Sequence, residues 1–282
     1  MRLAILACLA AVGCRHAGSE TLKVGTTGRH YEVFVPSDAQ DLPLVIALHG
    51  GGSTARQMEK FSRFDEVAAR EGFVVVYPDG IDHHWSDGRI PNGVDDVAFI
   101  GALIDEMATL HHIDRHRVYA TGISNGGMMS YRLACDLPDR IAAIAPVAGN
   151  VPAVVPCTPG HPVSVLAING TADPLVPYGG GQVVKTRGAV LAASASVAIF
   201  ARADGCGDAT STEEPDTAPD DGSRTTRTQF ACPGKLDVEL LTLTGGGHTW
   251  PGGVQYLPKR FIGPVSRDFD ATERIWSFFA AR

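Results

Sequence analysis

Beyond its first residues the sequence has no apolar run long enough to cross a bilayer, no basic cluster, no Cys-x-x-Cys pair, no internal repeat and no long interdomain linker. Each absence removes a class of function. With no such run there, and with the opening apolar stretch too short to span a bilayer as a permanent helix, no membrane span is expected. Lys and Arg number 24 against 31 Asp and Glu, a net charge of −7 with no basic patch, which argues against a nucleic-acid partner. The missing Cys-x-x-Cys spacing argues against a zinc site. Without repeats or linkers, the roughly 260 residues left after the N-terminus fit one α/β domain, and 44% hydrophobic residues supply its core.

The beginning of the chain is of another kind. Met1 and Arg2 lead into an apolar, small-residue stretch that ends at Gly13-Cys14. A basic start, an apolar middle and a small-residue end read as an export signal over residues 1–14. Ala11-Val12-Gly13-Cys14 resembles a bacterial lipobox, in which the cysteine is lipidated. A plainly cleaved signal fits the same small residues, and the lipoprotein reading is preferred. Residues 15–29 are then expected as an N-terminal tether and residues 30–282 as the catalytic domain. The expected location is extracytoplasmic: periplasmic, anchored at the outer membrane, or secreted. The only membrane contact expected is a lipid on Cys14. After Cys14 four cysteines remain, Cys135, Cys157, Cys206 and Cys232. An even number in an exported chain favours disulfides, and proximity along the chain favours Cys135–Cys157 and Cys206–Cys232 among the three pairings open.

Hydrophobic patterning alternates strands with helices. Tyr31–Val35 alternates like an exposed or edge strand, and Leu44–Leu48 is a continuous apolar run, as in a strand covered on both faces. Residues 55–70 read as a helix ending near Gly72, followed by a strand over Phe73–Tyr77. Asp95 or Asp96 is placed to cap a helix with Val97, Ile100, Ile104 and Met107 on one face. A strand over Arg117–Thr121 and a helix over Gly127–Leu137 come next, then strands over Ile141–Val147 and Val163–Ile168. A helix over Val190–Ala203, a strand over Val238–Leu243 and a closing helix over Ala271–Ala280 complete the series. Thr210 to Ser223, polar and acidic, reads as a surface loop. Such alternation predicts a mostly parallel central sheet with helices on both faces.

Three motifs sit at the ends of these strands. Gly122-Ile123-Ser124-Asn125-Gly126 has the Gly-x-Ser-x-Gly pattern between a strand and a helix, the context of a nucleophile elbow. Asp173 follows a buried strand, and His248 lies in a glycine-rich loop after the last strand. The order nucleophile, acid, histidine is that of an α/β-hydrolase. A serine hydroxyl attacks only when a base takes its proton, so His248 is expected as that base and Asp173 as its orienting partner. Asp173 before Pro174 also suits a turn, and His248 alone suits an ordinary loop. His49-Gly50-Gly51-Gly52 follows Leu44–Leu48, where the oxyanion loop of this fold lies. The backbone amides of Gly51 and Asn125 are the expected donors, with Gly52 as a substitute for Gly51. His49 reads as a residue steadying that loop. Trp85, Trp250 and Tyr178 are candidates for the substrate pocket, with packing beneath a loop as the alternative for the two tryptophans. His112 and His116 lack the further ligands a metal site needs. This chemistry requires no metal and no cofactor.

The blocks Leu-His-Gly-Gly-Gly, Trp-Ser-Asp-Gly-Arg with Val-Asp-Asp-Val-Ala-Phe-Ile, Gly-Ile-Ser-Asn-Gly-Gly-Met-Met-Ser-Tyr-Arg-Leu-Ala-Cys, Asn-Gly-Thr-Ala-Asp-Pro-Leu-Val-Pro-Tyr and Gly-Gly-Gly-His-Thr-Trp-Pro-Gly together resemble the polyhydroxybutyrate depolymerase family of esterases. That family overlaps the feruloyl and acetylxylan esterases of carbohydrate esterase family one. The likeness runs from about Tyr31 to the C-terminus. It implies a secreted serine esterase of α/β-hydrolase fold with Ser124, Asp173 and His248 as catalytic residues. The implied partner is a small-molecule or oligomeric ester: a hydroxyalkanoate oligomer, or a feruloyl or acetyl ester of plant polysaccharide. Two other readings remain, a serine peptidase on the same fold and a catalytically inactive, surface-anchored binding protein.

Overall fold

The computed structural model describes residues 15–36, 40–90, 93–184 and 187–282. Residues 1–14, expected as an export signal ending at Cys14, lie outside the described residues. Strands β1 (Arg15–Val24), β2 (Thr27–Val35), β3 (Leu42–Leu48), β4 (Val74–Pro78), β5 (Ile113–Ile123), β6 (Ala143–Val147) and β7 (Ser164–Gly170) come first. The short β8 (Gly181–Gln182) and β9 (Ala189–Val190) pair with each other, and β10 (Ala209–Glu213), β11 (Arg224–Phe230) and β12 (Val238–Thr244) follow. The helices are α1 (Ala55–Ser62), α2 (Phe64–Glu71), α3 (Asp96–His111), α4 (Asn125–Asp136), α5 (Ala193–Ala203), α6 (Lys259–Ile262) and α7 (Ala271–Ala280).

The main sheet has the order β1-β2-β4-β3-β5-β6-β7-β12-β11-β10. Its centre, from β4 to β12, is parallel, and antiparallel strands close both edges. The apolar run in β3 shows why a central strand reads as continuous. Leu44, Ile46 and Leu48 enter one core cluster together with residues of α3, α4 and α5. Val45 and Ala47 point the other way, into a second cluster with α1, α2 and α7. Side chains alternate across a strand, so covering both faces demands an apolar residue at every position.

Several elements differ from the sequence expectation. Residues 15–29 are not a free tether: β1 and β2 form an antiparallel hairpin through a turn at Gly25-Thr26, with Val24 opposite Thr27. Leu22 and Val24 alternate inward against the core, a signal diluted by the polar residues between and before them. Tyr31–Val35 is therefore not at the edge. It lies between β1 and β4 and is buried. The helix expected over 55–70 is two, broken at Arg63, whose φ of 57° is left-handed. No glycine or proline marks the break. It is fixed by contacts distant in sequence: Arg63 pairs with Asp270 at 2.6 Å, and the Ser62 carbonyl accepts from Thr272. Val190 belongs to β9, and α5 begins at Ala193. The segment Thr210 to Ser223 is not wholly loop. β10 extends the sheet along β11 as an exposed, polar strand, tied by Ser211 Oγ to Thr228 Oγ1 at 2.9 Å.

Cys135 bonds to Cys157 and Cys206 to Cys232, as expected. The bridges span 22 and 26 residues, each worth about 3 kcal/mol by loop entropy. No helix among the described residues is long and apolar enough to cross a membrane.

Candidate active site

β5 ends at Ile123 and α4 starts at Asn125, leaving Ser124 alone at the corner with φ 60° and ψ −118°. A left-handed φ on a residue bearing a side chain is strained, and the surroundings hold it there. Its amide donates to Val147 O at 2.9 Å, and its carbonyl accepts from Met128 N at 2.9 Å. The serine itself carries the unusual φ. Gly126 is required by a different constraint, since a Cβ there would lie 2.2 Å from Leu48 O. The turn thus presses against β3, beside the loop that β3 feeds.

His248 follows β12, and Asp173 follows β7, the strand paired with β12. Their side chains meet at 2.7 Å, His248 Nδ1 to Asp173 Oδ2, both almost fully buried. An ionised carboxylate only accepts, so Nδ1–H donates, and in the neutral imidazole this tautomer leaves Nε2 as the acceptor. Asp173 Oδ1 accepts from the amides of Leu175 at 2.7 Å and Val176 at 2.9 Å. The turn-forming reading and the histidine-orienting reading of Asp173 are therefore one geometry. Three bonds fix the histidine loop: Gly247 N to Pro264 O at 2.9 Å, His248 N to Ile262 O at 2.5 Å, and Tyr256 Oη to His248 O at 2.9 Å. The loop passes so close to Ile262 that a Cβ on Gly247 would lie 2.2 Å from its carbonyl. Burial, with the charge of Asp173 added, raises the Tyr256 phenol above its ordinary value, which keeps it a donor.

The glycine loop after β3 sorts its own amides. Gly52 N donates to His83 O at 2.8 Å and Ser53 N to Gly50 O at 3.1 Å. The Gly52 amide is occupied, and that of Gly51 has no acceptor among the described residues. Asn125 is the first residue of α4, where amides lack intrahelical acceptors. Both residues line one cavity of about 510 Å³ with Ser124 and His248. His49 steadies this loop. It is fully buried, donates through Nδ1 to Gly50 O at 2.8 Å and accepts from Gly80 N through Nε2 at 3.0 Å. Burial lowers its pKa and keeps it neutral.

The Asn125 side chain braces the facing loop. Its Oδ1 accepts from Trp85 N at 2.7 Å, while Nδ2 donates to Trp85 O at 3.1 Å and Asp87 Oδ2 at 2.7 Å. Asp87 in turn holds Arg89 through Nε at 2.9 Å and Nη2 at 2.7 Å.

The three aromatic pocket candidates do not line the cavity. Trp85 is buried and donates from its indole to His49 O at 2.9 Å. Trp250 is buried and donates to Thr272 Oγ1 at 3.0 Å. Tyr178 pairs with Thr242 Oγ1 at 2.8 Å. The wall comes instead from Phe61, Leu175, Val184, Tyr256 and Leu257. These sit mostly in irregular segments, where no periodicity marks a wall. Phe61, in the last turn of α1, also faces the cavity.

Comparison with known proteins agrees with the geometry. A family model described as Esterase PHB depolymerase matches residues 30–167. "Putative esterase NocK" of Nocardia uniformis subsp. tsuyamanensis is 32% identical over 265 residues, covering 88% of this chain and 77% of that protein. "Probable feruloyl esterase C" of Aspergillus niger is 28% identical over 263 residues, covering 90% and 84%. Among solved structures, an acetyl xylan esterase from Aspergillus awamori superposes with a TM-score of 0.65 at 16% identity, covering 94% of this chain and all of that one, a likeness of fold. The fold is that of the α/β-hydrolase esterases.

Proposed function

Because this chain belongs to the polyhydroxybutyrate depolymerase family of esterases, we propose that it hydrolyses carboxylic esters through an acyl-enzyme on Ser124, with His248 and Asp173 completing the relay. The observation that carries this reading is that His248, tied through Nδ1 to Asp173, lines the same cavity as Ser124. In the first half-reaction Ser124 Oγ bonds to the ester carbon while His248 Nε2 takes the hydroxyl proton. The negative charge on the former carbonyl oxygen is held by the amides of Gly51 and Asn125. Loss of one such donor costs about 100- to 1000-fold in rate. The tetrahedral adduct expels the alcohol, which leaves with the proton from His248. Water then attacks the acyl-enzyme by the same relay and releases the acid. Asp173 stays ionised throughout and stabilises the imidazolium.

The substrate class proposed is a hydroxyalkanoate oligomer, or a feruloyl or acetyl ester of a polysaccharide, with export along residues 1–14 and lipidation at Cys14. Two disulfides support an oxidising compartment. A fluorophosphonate probe should label the wild type and fail on Ser124→Ala, which should also lose hydrolysis of short 4-nitrophenyl esters. Undiminished turnover by that variant would overturn the reading. A panel of methyl ferulate, acetylated xylan and hydroxybutyrate oligomers then ranks the substrates.

A further inference from the structure

Among the described residues the cavity beside Ser124 is lined by two arginines, Arg89 and Arg187, and by no carboxylate, in a chain whose net charge is −7. The two differ in what they already hold. Arg89 is half-buried, and Asp87 takes its Nε and Nη2. Asp87 is itself buried and accepts from Asn125 as well, so this pair is a brace for the turn that carries Ser124. Arg89 Nη1 reaches one more acceptor, the backbone carbonyl of Arg187 at 3.0 Å. That bond draws the segment carrying Arg187 onto the cavity wall. Gly188 follows within van der Waals range, since a Cβ there would lie 2.8 Å from Arg89 Cβ.

Bracing accounts for Arg89 and leaves Arg187 unexplained. Arg187 is exposed, lines the cavity and pairs with no carboxylate among the described residues. A guanidinium with no carboxylate partner, at the wall of a pocket whose lining carries no negative charge among the described residues, attracts an anion. Its planar fork matches a carboxylate in particular. On the reading of the site as an esterase, we infer that the preferred substrate is an ester carrying a carboxylate elsewhere in the same molecule, held by Arg187 with Arg89 behind it. Such a group sits on the acyl half in a half-ester of a dicarboxylic acid. It sits on the alcohol half in an acylated hydroxy acid, including the free acid end of a hydroxy-acid oligomer.

The test compares charged esters with their neutral amide counterparts. Monomethyl succinate against methyl succinamate probes the acyl side, with methanol release measured. 3-Acetoxybutanoate against 3-acetoxybutanamide probes the alcohol side, with acetate release measured. The wild type should favour the charged member of one pair by roughly tenfold or more in kcat/KM. Raising the salt should shrink that ratio. Arg187→Gln should reduce it strongly, and Arg187→Glu should reverse it. The ratio within each variant is the readout, so a general loss of rate does not mimic the effect. Equal rates within both pairs for the wild type overturn the inference, as does a preference that survives in the Arg89→Gln, Arg187→Gln double variant. If neither member of any pair is cleaved and fluorophosphonate does not label Ser124, the esterase reading of the site fails instead.

Discussion

Asn125 concentrates several roles in one residue. Its amide is a proposed oxyanion donor, and its side chain holds Trp85 by two bonds and Asp87 by a third. Truncation to alanine keeps the amide and deletes the brace. The Trp85 amide and carbonyl then lose this partner in a buried setting, at about 1–3 kcal/mol for each group left unsatisfied, while Asp87 Oδ2 keeps Arg89. Asn125→Ala should therefore lower unfolding free energy by at least about 1–3 kcal/mol. It should also lower kcat more than it raises KM, since the brace holds Trp85, whose indole bonds His49 O in the proposed oxyanion loop, rather than setting the size of the pocket. Urea unfolding and steady-state kinetics read the two effects separately. Unchanged stability would show that the three bonds carry no net energy. Asn125→Asp should be worse than alanine, because it sets a second carboxylate against Asp87 Oδ2, now 2.7 Å from Nδ2.

At the scale of elements, the loop between β4 and α3 is anchored by a buried ion pair. Arg29 on β2 donates to Asp96 at the start of α3 at 2.6 Å and to the Asp79 carbonyl at 3.1 Å, with its guanidinium 3.9 Å from the centre of the Phe99 ring. Asp96 also accepts from Ser86 N at 2.7 Å. Removing the cation leaves a buried carboxylate without its counter-charge, which typically costs about 3–5 kcal/mol. Arg29→Ala should destabilise by that amount in urea unfolding, while Arg29→Ala with Asp96→Asn should recover part of it. A loss no larger in the single than in the double variant would rule out the uncompensated charge as the cause. This anchor is invisible in the sequence, because its partners lie 67 residues apart. What is readable is local or periodic. The cap at Asp95, which accepts from Ala98 N at 2.9 Å, follows from residue type and position. The central strands follow from apolar runs. β10 is not readable, because an exposed strand recruited by its neighbour has no buried face to pattern it. At the site, Ser124, Asp173 and His248 stand out because each follows a strand that the hydropathy marks. The cavity wall does not, since it comes from segments whose placement depends on distant contacts.

For the whole molecule, buried titratable groups set how stability responds to pH, and they pull in opposite directions. Glu239 on β12 is pushed up to about 7, first by burial and then by the neighbouring charge of Asp237. Asp204 is pushed up to about 6 by burial. In the unfolded chain both return to ordinary carboxylate values near 4. Between the two limits the folded state binds more protons than the unfolded one, so stability falls as pH rises through that window. Buried His49 has the opposite sign. Its pKa is lowered, so the unfolded chain takes up a proton below about 6.5 that the folded chain refuses, and stability falls as pH drops. The slopes oppose each other below about pH 6.5, and above it the carboxylates act alone. Glu239→Gln removes one of them while keeping an acceptor for Gln229 Nε2, which lies 3.4 Å from Oε1. Unfolding free energies of the two proteins should therefore diverge between pH 5 and pH 8, with the variant gaining on the wild type until the wild-type carboxyl is fully ionised. Glu239 is not among the residues that line the cavity with Ser124, so the same change should lengthen the survival of esterase activity at alkaline pH. A difference in unfolding free energy that stays constant across this range, or that favours the wild type more as pH rises, would contradict the assignment of the slope to this carboxyl.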